Sequence, residues 1–306
     1  MSSGARVTTA IAVQTDPKVM ATSGFKILPN KTNGLNNSME LSESELVAGD
    51  RIKKAGMVTS GSVSGDIETE FMFGVFDDLI ASAMWNQWTS GGGGGNPDTL
   101  KVGDNSSMYT ITKDFTDIGV FHVFGACHVN TMSMEISTEG IAGVKFGFIG
   151  LDYNQRTTTT FAPSATESQD GAKASGLNIG TVLVGGEDIG VCIENISIEI
   201  DNGALTQRCL GKKYGGNVLP MLAGISGKMS IAYSKKAHEI LTNQVTGATL
   251  SLEIPMEFEG GNKYIFRMPK VQVKGDIPSP SGSDLAVAEV EYSVVDESMI
   301  IERYTA

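Results

Sequence analysis

Hydrophobic and polar residues alternate along residues 60–73, and the period then changes to helical spacing. The apolar positions of the alternating stretch include Val63, Ile67, Phe71 and Phe73. The polar positions include Asp66, Glu68 and Glu70. A period of two indicates a half-buried strand, whereas the steps of three and four at Phe76, Leu79 and Ile80 indicate an amphipathic helix. The segment therefore predicts a strand that runs directly into a helix.

Most of the remaining chain shows strand-like alternation, interrupted by segments rich in Gly, Ser and Thr. Strands are predicted at residues 24–29, 38–45, 57–73, 99–101, 108–115, 120–137, 141–152, 181–184 and 191–200, with a helix at 74–84. Five consecutive glycines, with Gly91, Gly93 and Gly95 among them, predict a loop without a fixed conformation, because glycine loses the most backbone entropy on ordering.

The strand–helix unit recurs at residues 225–241. Its strand alternates like the first one, and Ala237, Ile240 and Leu241 repeat the apolar spacing of the helix. Strands are predicted around the second unit at 250–258, 264–274 and 285–295, in the order found around the first. Matching order across five elements indicates an internal duplication.

The fold class expected from this pattern is mainly β, with two tandem β-sandwich or rolled-sheet domains that each carry one flanking α-helix. The expected organisation is an N-terminal arm at 1–24, a first domain at 25–152, a linker or exposed loop at 153–180 and a second domain at 181–306. The arm and the linker are so assigned because both lack sustained periodicity and large apolar side chains.

Charge and composition narrow the possible functions. The 306 residues include 23 Lys and Arg against 35 Asp and Glu, a formal net charge of -12. Such a surface repels phosphate, which argues against ordinary nucleic-acid binding. No segment approaches 18 consecutive apolar residues, so no membrane span is predicted.

No constellation of residues predicts catalysis, and the chain is interpreted as a non-enzyme without catalytic, cofactor-binding or metal-binding residues. Cys127, Cys192 and Cys209 have no metal-like spacing and are expected to be reduced, buried thiols. Asp77 and Asp78 fall in the first turn of the predicted helix, where a carboxylate favours the positive end of the helix dipole.

Several sequence segments resemble those of the major tail tube proteins of long-tailed, siphovirus-like bacteriophages, in the subgroup whose chains contain two tube domains. They are "SVSGDIETEFMFGVFDDLIASAMWNQW", "YTITKDFTDIGVFHVFGACHVNTMSMEI", "VKFGFIGLD" and, more weakly, "NISIEIDNGAL". The resemblance covers most of residues 38–152 and extends less strongly over 190–306.

The resemblance implies a structural virion protein that polymerises as stacked rings to form the tail tube through which DNA is ejected. With two tube domains per chain, it implies trimeric rings with pseudo-sixfold symmetry. The implied partners are other copies of the chain, a tape-measure protein, a tail terminator and distal tail proteins. DNA would pass without specific binding, no membrane would be involved, and synthesis would take place in the host cytoplasm.

Within this hypothesis, three sets of residues receive candidate roles. Asp66, Glu68 and Glu70 are the candidate acidic face of the lumen. Helix-to-sheet packing is assigned to Phe76, Leu79, Ile80, Ala237, Ile240 and Leu241. The loop of Gly91, Gly93 and Gly95 is assigned to a contact between stacked rings. Two alternatives remain open: another β-structured virion protein, such as a terminator, baseplate hub or decoration protein, and a carbohydrate-binding β-sandwich.

Overall fold

The computed structural model describes all residues except 1, 47, 48, 50, 51, 94, 168–170, 281, 284 and 306. The described chain is mainly β, with antiparallel strand pairing and two α-helices. The strands of the first half are β1 (Val7–Gln14), β2 (Lys26–Ile27), β3 (Thr32–Asn33), β4 (Asn36–Ser44), β5 (Lys54–Glu70), β6 (Asp98–Lys101), β7 (Met108–Phe115), β8 (Val120–Ser137), β9 (Gly143–Gly150) and β10 (Asp152–Arg156). Helix α1 spans Asp77–Ala83.

The second half contains ten further strands and one helix among the described residues. The strands are β11 (Leu183–Val184), β12 (Glu187–Asp188), β13 (Ile193–Asp201), β14 (Leu205–Gln207), β15 (Asn217–Leu219), β16 (Gly224–Ala232), β17 (Leu250–Glu257), β18 (Lys263–Gly275), β19 (Val287–Val294) and β20 (Ile300–Tyr304). Helix α2 spans Lys235–Thr246, begins at a Ser234 cap and ends at Gly247, whose φ of 67° is readily adopted by glycine.

The strands of the two halves pair in the same order. In the first half the order is β4–β5–β9–β8–β7–β1, and in the second it is β13–β16–β19–β18–β17–β11. Even an irregularity recurs: the β7–β8 register shifts between Tyr109 and Ile111, and the β17–β18 register shifts between Leu250 and Leu252. Both halves therefore share one pattern of backbone pairing.

A single sheet connects the halves, and we call it the central sheet. It runs in the order β4–β5–β9–β8–β13–β16–β19–β18, with β3 beside β4 on the same flank of β5. The joint between the halves is the antiparallel pairing of β8 with β13, in which Thr131 faces Asp201 and Ser137 faces Asn195. The first half thus receives the leading strand of the second as an extension of its own sheet.

Both helices are packed into the core that the strands enclose. The six residues assigned to helix packing are all buried: Phe76, Leu79, Ile80, Ala237, Ile240 and Leu241. Phe76 approaches Phe146 of β9 with a distance of 6.1 Å between ring centroids. The apolar face of the strand before α1 contributes Val63, Ile67 and Phe71 to the same core. Burial of these side chains is the main favourable contribution to stability.

The expected N-terminal arm is structured over part of its length. Residues 7–14 form β1, which pairs with β7 along its whole length and buries Ala10 and Ala12. The sequence obscured this strand because small alanines stand where large apolar residues would reveal the period. The linker also contains ordered contacts, since the N–H of Ala142 donates to the carbonyl of Ala174, and Ala174 is buried.

Candidate assembly interface

The central sheet has one apolar and one polar face. Because directly paired residues project to the same face, the strand registers place Asp66, Glu68 and Glu70 on the polar face. The other carboxylates there include Glu40, Glu135, Glu199, Asp201, Glu289 and Glu291, and the ammonium groups include Lys145, Lys228 and Lys274. Carboxylates thus outnumber ammonium groups on this face of the described structure.

The three candidate acidic residues have different surroundings. Asp66 and Glu68 are exposed, and Asp66 lies 3.8 Å from the ammonium group of Lys145. Glu70 is half-buried and contacts Lys173 at 2.6 Å and Lys31 at 4.0 Å. The hydrogen bond from Lys173 lowers the pKa of Glu70 below its usual value. The charge of Glu70 is therefore neutralised locally, and the acidity of this strand face comes mainly from exposed Glu68, since Asp66 is paired with Lys145.

One end of the central sheet is the flank of β3 and β4 that faces away from β5. The N–H of Gly34 donates to the carbonyl of Asp66 across the β5 ladder at 2.7 Å, so alternate residues Leu35 and Asn37 direct their N–H groups outward. These N–H groups donate to the side-chain oxygens of Asn33 at 3.0 Å and Asn36 at 2.9 Å. No strand pairs with this flank in the described part of the chain.

The other end of the central sheet is the final stretch of β18. Strand β17 pairs with β18 only as far as Val271, and the flank opposite β19 has no strand partner beyond it among the described residues. The N–H of Gly275 points toward this open flank and donates to the Oε1 of Gln244 on α2 at 3.1 Å. Both ends of the sheet therefore carry backbone groups satisfied by side chains rather than by a neighbouring strand.

The pentaglycine segment is partly anchored. The N–H of Gly91 donates to the Oδ1 of Asp98 at 3.0 Å, while Gly93 and Gly95 are exposed and adopt φ values of 76° and 87°. An added Cβ on Gly91 would lie 2.3 Å from the carbonyl oxygen of Pro97, so this position requires glycine. The loop is thus anchored at Gly91, and its residues Gly93 and Gly95 are exposed to solvent.

A polar cluster that the sequence did not predict joins the two halves. Arg303 of β20 binds the carboxylates of Asp77 at the start of α1 and of Asp98 in β6. Tyr264 of β18 donates its hydroxyl proton to Asp77, and the Arg303 guanidinium lies 4.9 Å from the centroid of the Trp88 ring. Asp77 lies in the first turn of α1, where the sequence placed it, and its carboxylate also binds Arg303.

Of the three cysteines expected to be buried, one is buried and two are exposed. Cys127 is buried in β8, and burial raises the pKa of its thiol. Cys192 and Cys209 are exposed, because they lie in the connections before β13 and after β14 rather than on a core-facing strand position. No group of His, Cys, Asp or Glu with metal-binding geometry occurs among the described residues.

The helices are short, and in the described part of the chain neither has the length and apolar character needed to cross a bilayer.

The fold is that of a β protein whose two halves share one order of strand pairing, with two open sheet edges and one polar sheet face in its described residues. The sequence model of the phage tail tube protein family matches residues 4–294, and the chain belongs to that family. It is therefore a structural component of the phage tail, in a family that is not typically enzymatic. No curated protein matches the chain.

Proposed function

We propose that three copies of the chain close head to tail into a ring, and that stacked rings form the tube through which DNA leaves the virion. The supporting observation is the joint between the halves, where β13 extends the sheet at β8. The open flank of β3 and β4 is equivalent to the flank of β13 that pairs with β8. The open flank of β18 is equivalent to the flank of β8 that pairs with β13.

The internal joint supplies a register for the contact between copies. Aligning Ser64-Gly65 with Ser226-Gly227 makes Leu35 equivalent to Ile198 and Gly275 equivalent to Met132. Because Ile200 faces Met132 in the joint, Asn37 of one copy would face Gly275 of the next. Ser38 would face Lys274, and Leu35 would face Ile277.

Closure would give a ring of six similar units in which joints within one chain alternate with joints between chains, which is pseudo-sixfold symmetry. It would also remove both open edges, which otherwise favour uncontrolled pairing. The polar face of the central sheet would line the lumen, and the exposed glycines Gly93 and Gly95 would contact the next ring. A tape-measure protein, a terminator and distal tail proteins would complete the tail, after synthesis in the host cytoplasm.

A disulfide placed across the proposed joint tests the ring directly. Ser38 and Lys274 would form a non-hydrogen-bonded antiparallel pair, whose short Cα separation of about 4.5 Å suits a disulfide. We expect Ser38→Cys with Lys274→Cys, in a Cys192→Ser and Cys209→Ser background, to form covalent dimers and trimers on oxidation. A non-reducing denaturing gel provides the measurement.

The matched control moves one cysteine to the neighbouring strand. Ser38→Cys with Glu291→Cys places the thiols one strand spacing further apart, at about 9 Å, where no disulfide can form. Equal cross-linking of both variants, or covalent ladders that extend beyond trimers, would contradict the closed ring of three.

A second prediction concerns the lumen. Glu68 and Glu199 are exposed on the polar face and lie in one row across the sheet, through Lys145 and Ser133. We expect tubes with Glu68→Lys and Glu199→Lys to assemble normally but to retain double-stranded DNA, because the substituted lumen would attract phosphate. Co-sedimentation of DNA with tubes at increasing salt measures this retention.

The control for charge alone is Glu239→Lys with Glu259→Lys, which changes the net charge by the same amount at two exposed positions, one on α2 and one in the turn between β17 and β18. If that variant retained as much DNA as the polar-face variant, or if unmodified tubes retained DNA equally well, the polar face would not be the lumen.

A further inference from the structure

The two halves differ where the central sheet ends. In the first half, β8 continues to Ser137, and its residues 131–137 pair with β13. The equivalent stretch of the second half is 274–280, of which only Lys274 and Gly275 belong to β18. The edge offered to a second copy is therefore much shorter than the edge that the first half offers to β13.

Two prolines account for the early end of β18. In the shared register, Pro278 is equivalent to Glu135 and Pro280 to Ser137. The N–H of Glu135 is directed toward β9, where Glu135 faces Gly143. Proline has no N–H to donate, so neither Pro278 nor Pro280 could extend the ladder to β19.

The short edge that remains on β18 has its outward N–H group bonded to a side chain, and its apolar residue lacks a covering strand. The outward N–H of Gly275 is held by Gln244, as described above, while its counterpart Met132 lies in the joint with β13. Ile277 is 65% exposed, whereas the equivalent Met134 is 1% exposed beneath β13. An apolar residue suited to a buried joint is thus held in solvent in the single copy.

We propose that Pro278 and Pro280 act as an assembly checkpoint on this edge, and that the partner they delay is a second copy of the chain. The incoming flank of β3 and β4 must displace the Gln244 cap and order residues 276–280 against itself. Ile277 then faces Leu35 of the incoming copy and is covered by the new strand. Because ordering these residues costs backbone entropy, chance encounters between single copies fail, whereas an already assembled tube end repays the cost through additional contacts. This inference rests on the proposed ring.

Replacing the two prolines with the residues that stand at the equivalent positions of β8 tests the checkpoint. We expect Pro278→Glu with Pro280→Ser to extend the β18–β19 pairing and to present a preformed edge. Spontaneous assembly of the purified full chain should then begin at a protein concentration about tenfold lower than for the unmodified chain, the effect of one or two added hydrogen bonds. Light scattering against concentration, with negative-stain electron microscopy of the products, gives the measurement.

The matched control is Pro220→Ser, which removes a proline from the connection after β15, away from the edge. Circular dichroism confirms that each variant is folded, and Gln244→Ala, which removes only the cap, provides an independent variant expected to shift the threshold in the same direction. An unchanged or higher threshold for the edge variants, with tubes still formed by the unmodified chain, overturns the checkpoint and leaves the proposed function intact. Absence of rings and tubes from every variant, even at high concentration, overturns both.

Discussion

Replacing Asn37 with proline is expected to leave the subunit folded and to abolish the formation of rings and tubes. The N–H of Asn37 is directed away from β5, so its loss removes no hydrogen bond from the ladder inside the subunit. Edge positions whose N–H faces solvent tolerate proline. In the proposed ring, however, this N–H pairs with Gly275 of the next copy, and the pyrrolidine ring would obstruct the approach of that strand.

The expected magnitude follows from one lost hydrogen bond and one steric conflict at each joint. A net loss of at least about 1.4 kcal/mol per joint raises the concentration required for assembly by at least about tenfold, and the loss recurs at each of the joints in a ring. Analytical ultracentrifugation and electron microscopy measure assembly, while thermal unfolding measures the subunit itself.

Two control variants distinguish the effect of losing the outward backbone N–H of Asn37 from the effect of losing its side chain. Asn37→Ala keeps the backbone N–H but removes the acceptor of the Tyr214 hydroxyl, which lies 2.9 Å from the Asn37 Oδ1. It should still assemble. Asn36→Pro would remove an N–H that faces β5 and should lower the stability of the single subunit. Normal tubes from Asn37→Pro would eliminate the β4 edge as the joint.

The second large effect is expected at the cluster that joins the halves. Arg303→Met would leave the carboxylates of Asp77 and Asp98 without their cation in a partly buried site. Breaking such a pair on one side costs about 3 kcal/mol, because one charge remains desolvated and unpaired. Chemical denaturation of the single subunit provides the free energy of unfolding.

Acid should reduce the difference between the variant and the unmodified chain. The hydrogen bond from Arg303 lowers the pKa of Asp98 in the folded state. A carboxyl with a lowered folded pKa stabilises the fold above its unfolded pKa of about 3.9 and loses that contribution as the pH falls through the folded value. The stability of Arg303→Met should therefore fall less steeply between neutral pH and pH 3.

Lys270→Met supplies the matched control, since Lys270 pairs with Glu297 at 2.8 Å on the surface. An exposed pair of this kind contributes only about 0–1 kcal/mol. Adding Asp77→Asn to Arg303→Met should restore part of the lost stability, because the amide can still accept the Tyr264 hydroxyl without a buried charge. Equal effects of the surface and cluster substitutions would contradict the structural role of Arg303.

The long, regularly alternating strands could be predicted from sequence because large apolar residues marked the buried positions. The predicted strands at 108–115 and 120–137 agree with β7 and β8, and the helix before Met84 agrees with α1. Strands built from small or polar residues were not predicted, because they lack this alternation of large apolar side chains. The clearest example is β1, whose core positions are alanines, and the short β20 and the β14–β15 hairpin were missed as well.

The candidate interface could be predicted from sequence only in outline. Alternation placed Asp66, Glu68 and Glu70 on one face, but the face of a strand does not reveal which flank of a sheet remains unpaired. That information resides in pairing between distant residues, such as Ile198 with Met134. The Arg303 cluster was equally inaccessible, because Asp77 and Arg303 are 226 positions apart in sequence. The luminal role of the acidic face and the inter-ring role of the glycines remain predictions.

In the proposed ring, carrying both units of the β8–β13 joint on one chain has an evolutionary consequence. In a hexamer of identical single-domain chains, any mutation at the subunit boundary appears at all six boundaries. Fusion of two units into one gene allows the two kinds of boundary to diverge in sequence. The boundary within the chain can then become permanently paired, while the boundary between chains acquires residues that delay assembly. Mutations that favour tight association can then accumulate at the boundary within the chain without promoting premature polymerisation in the infected cell.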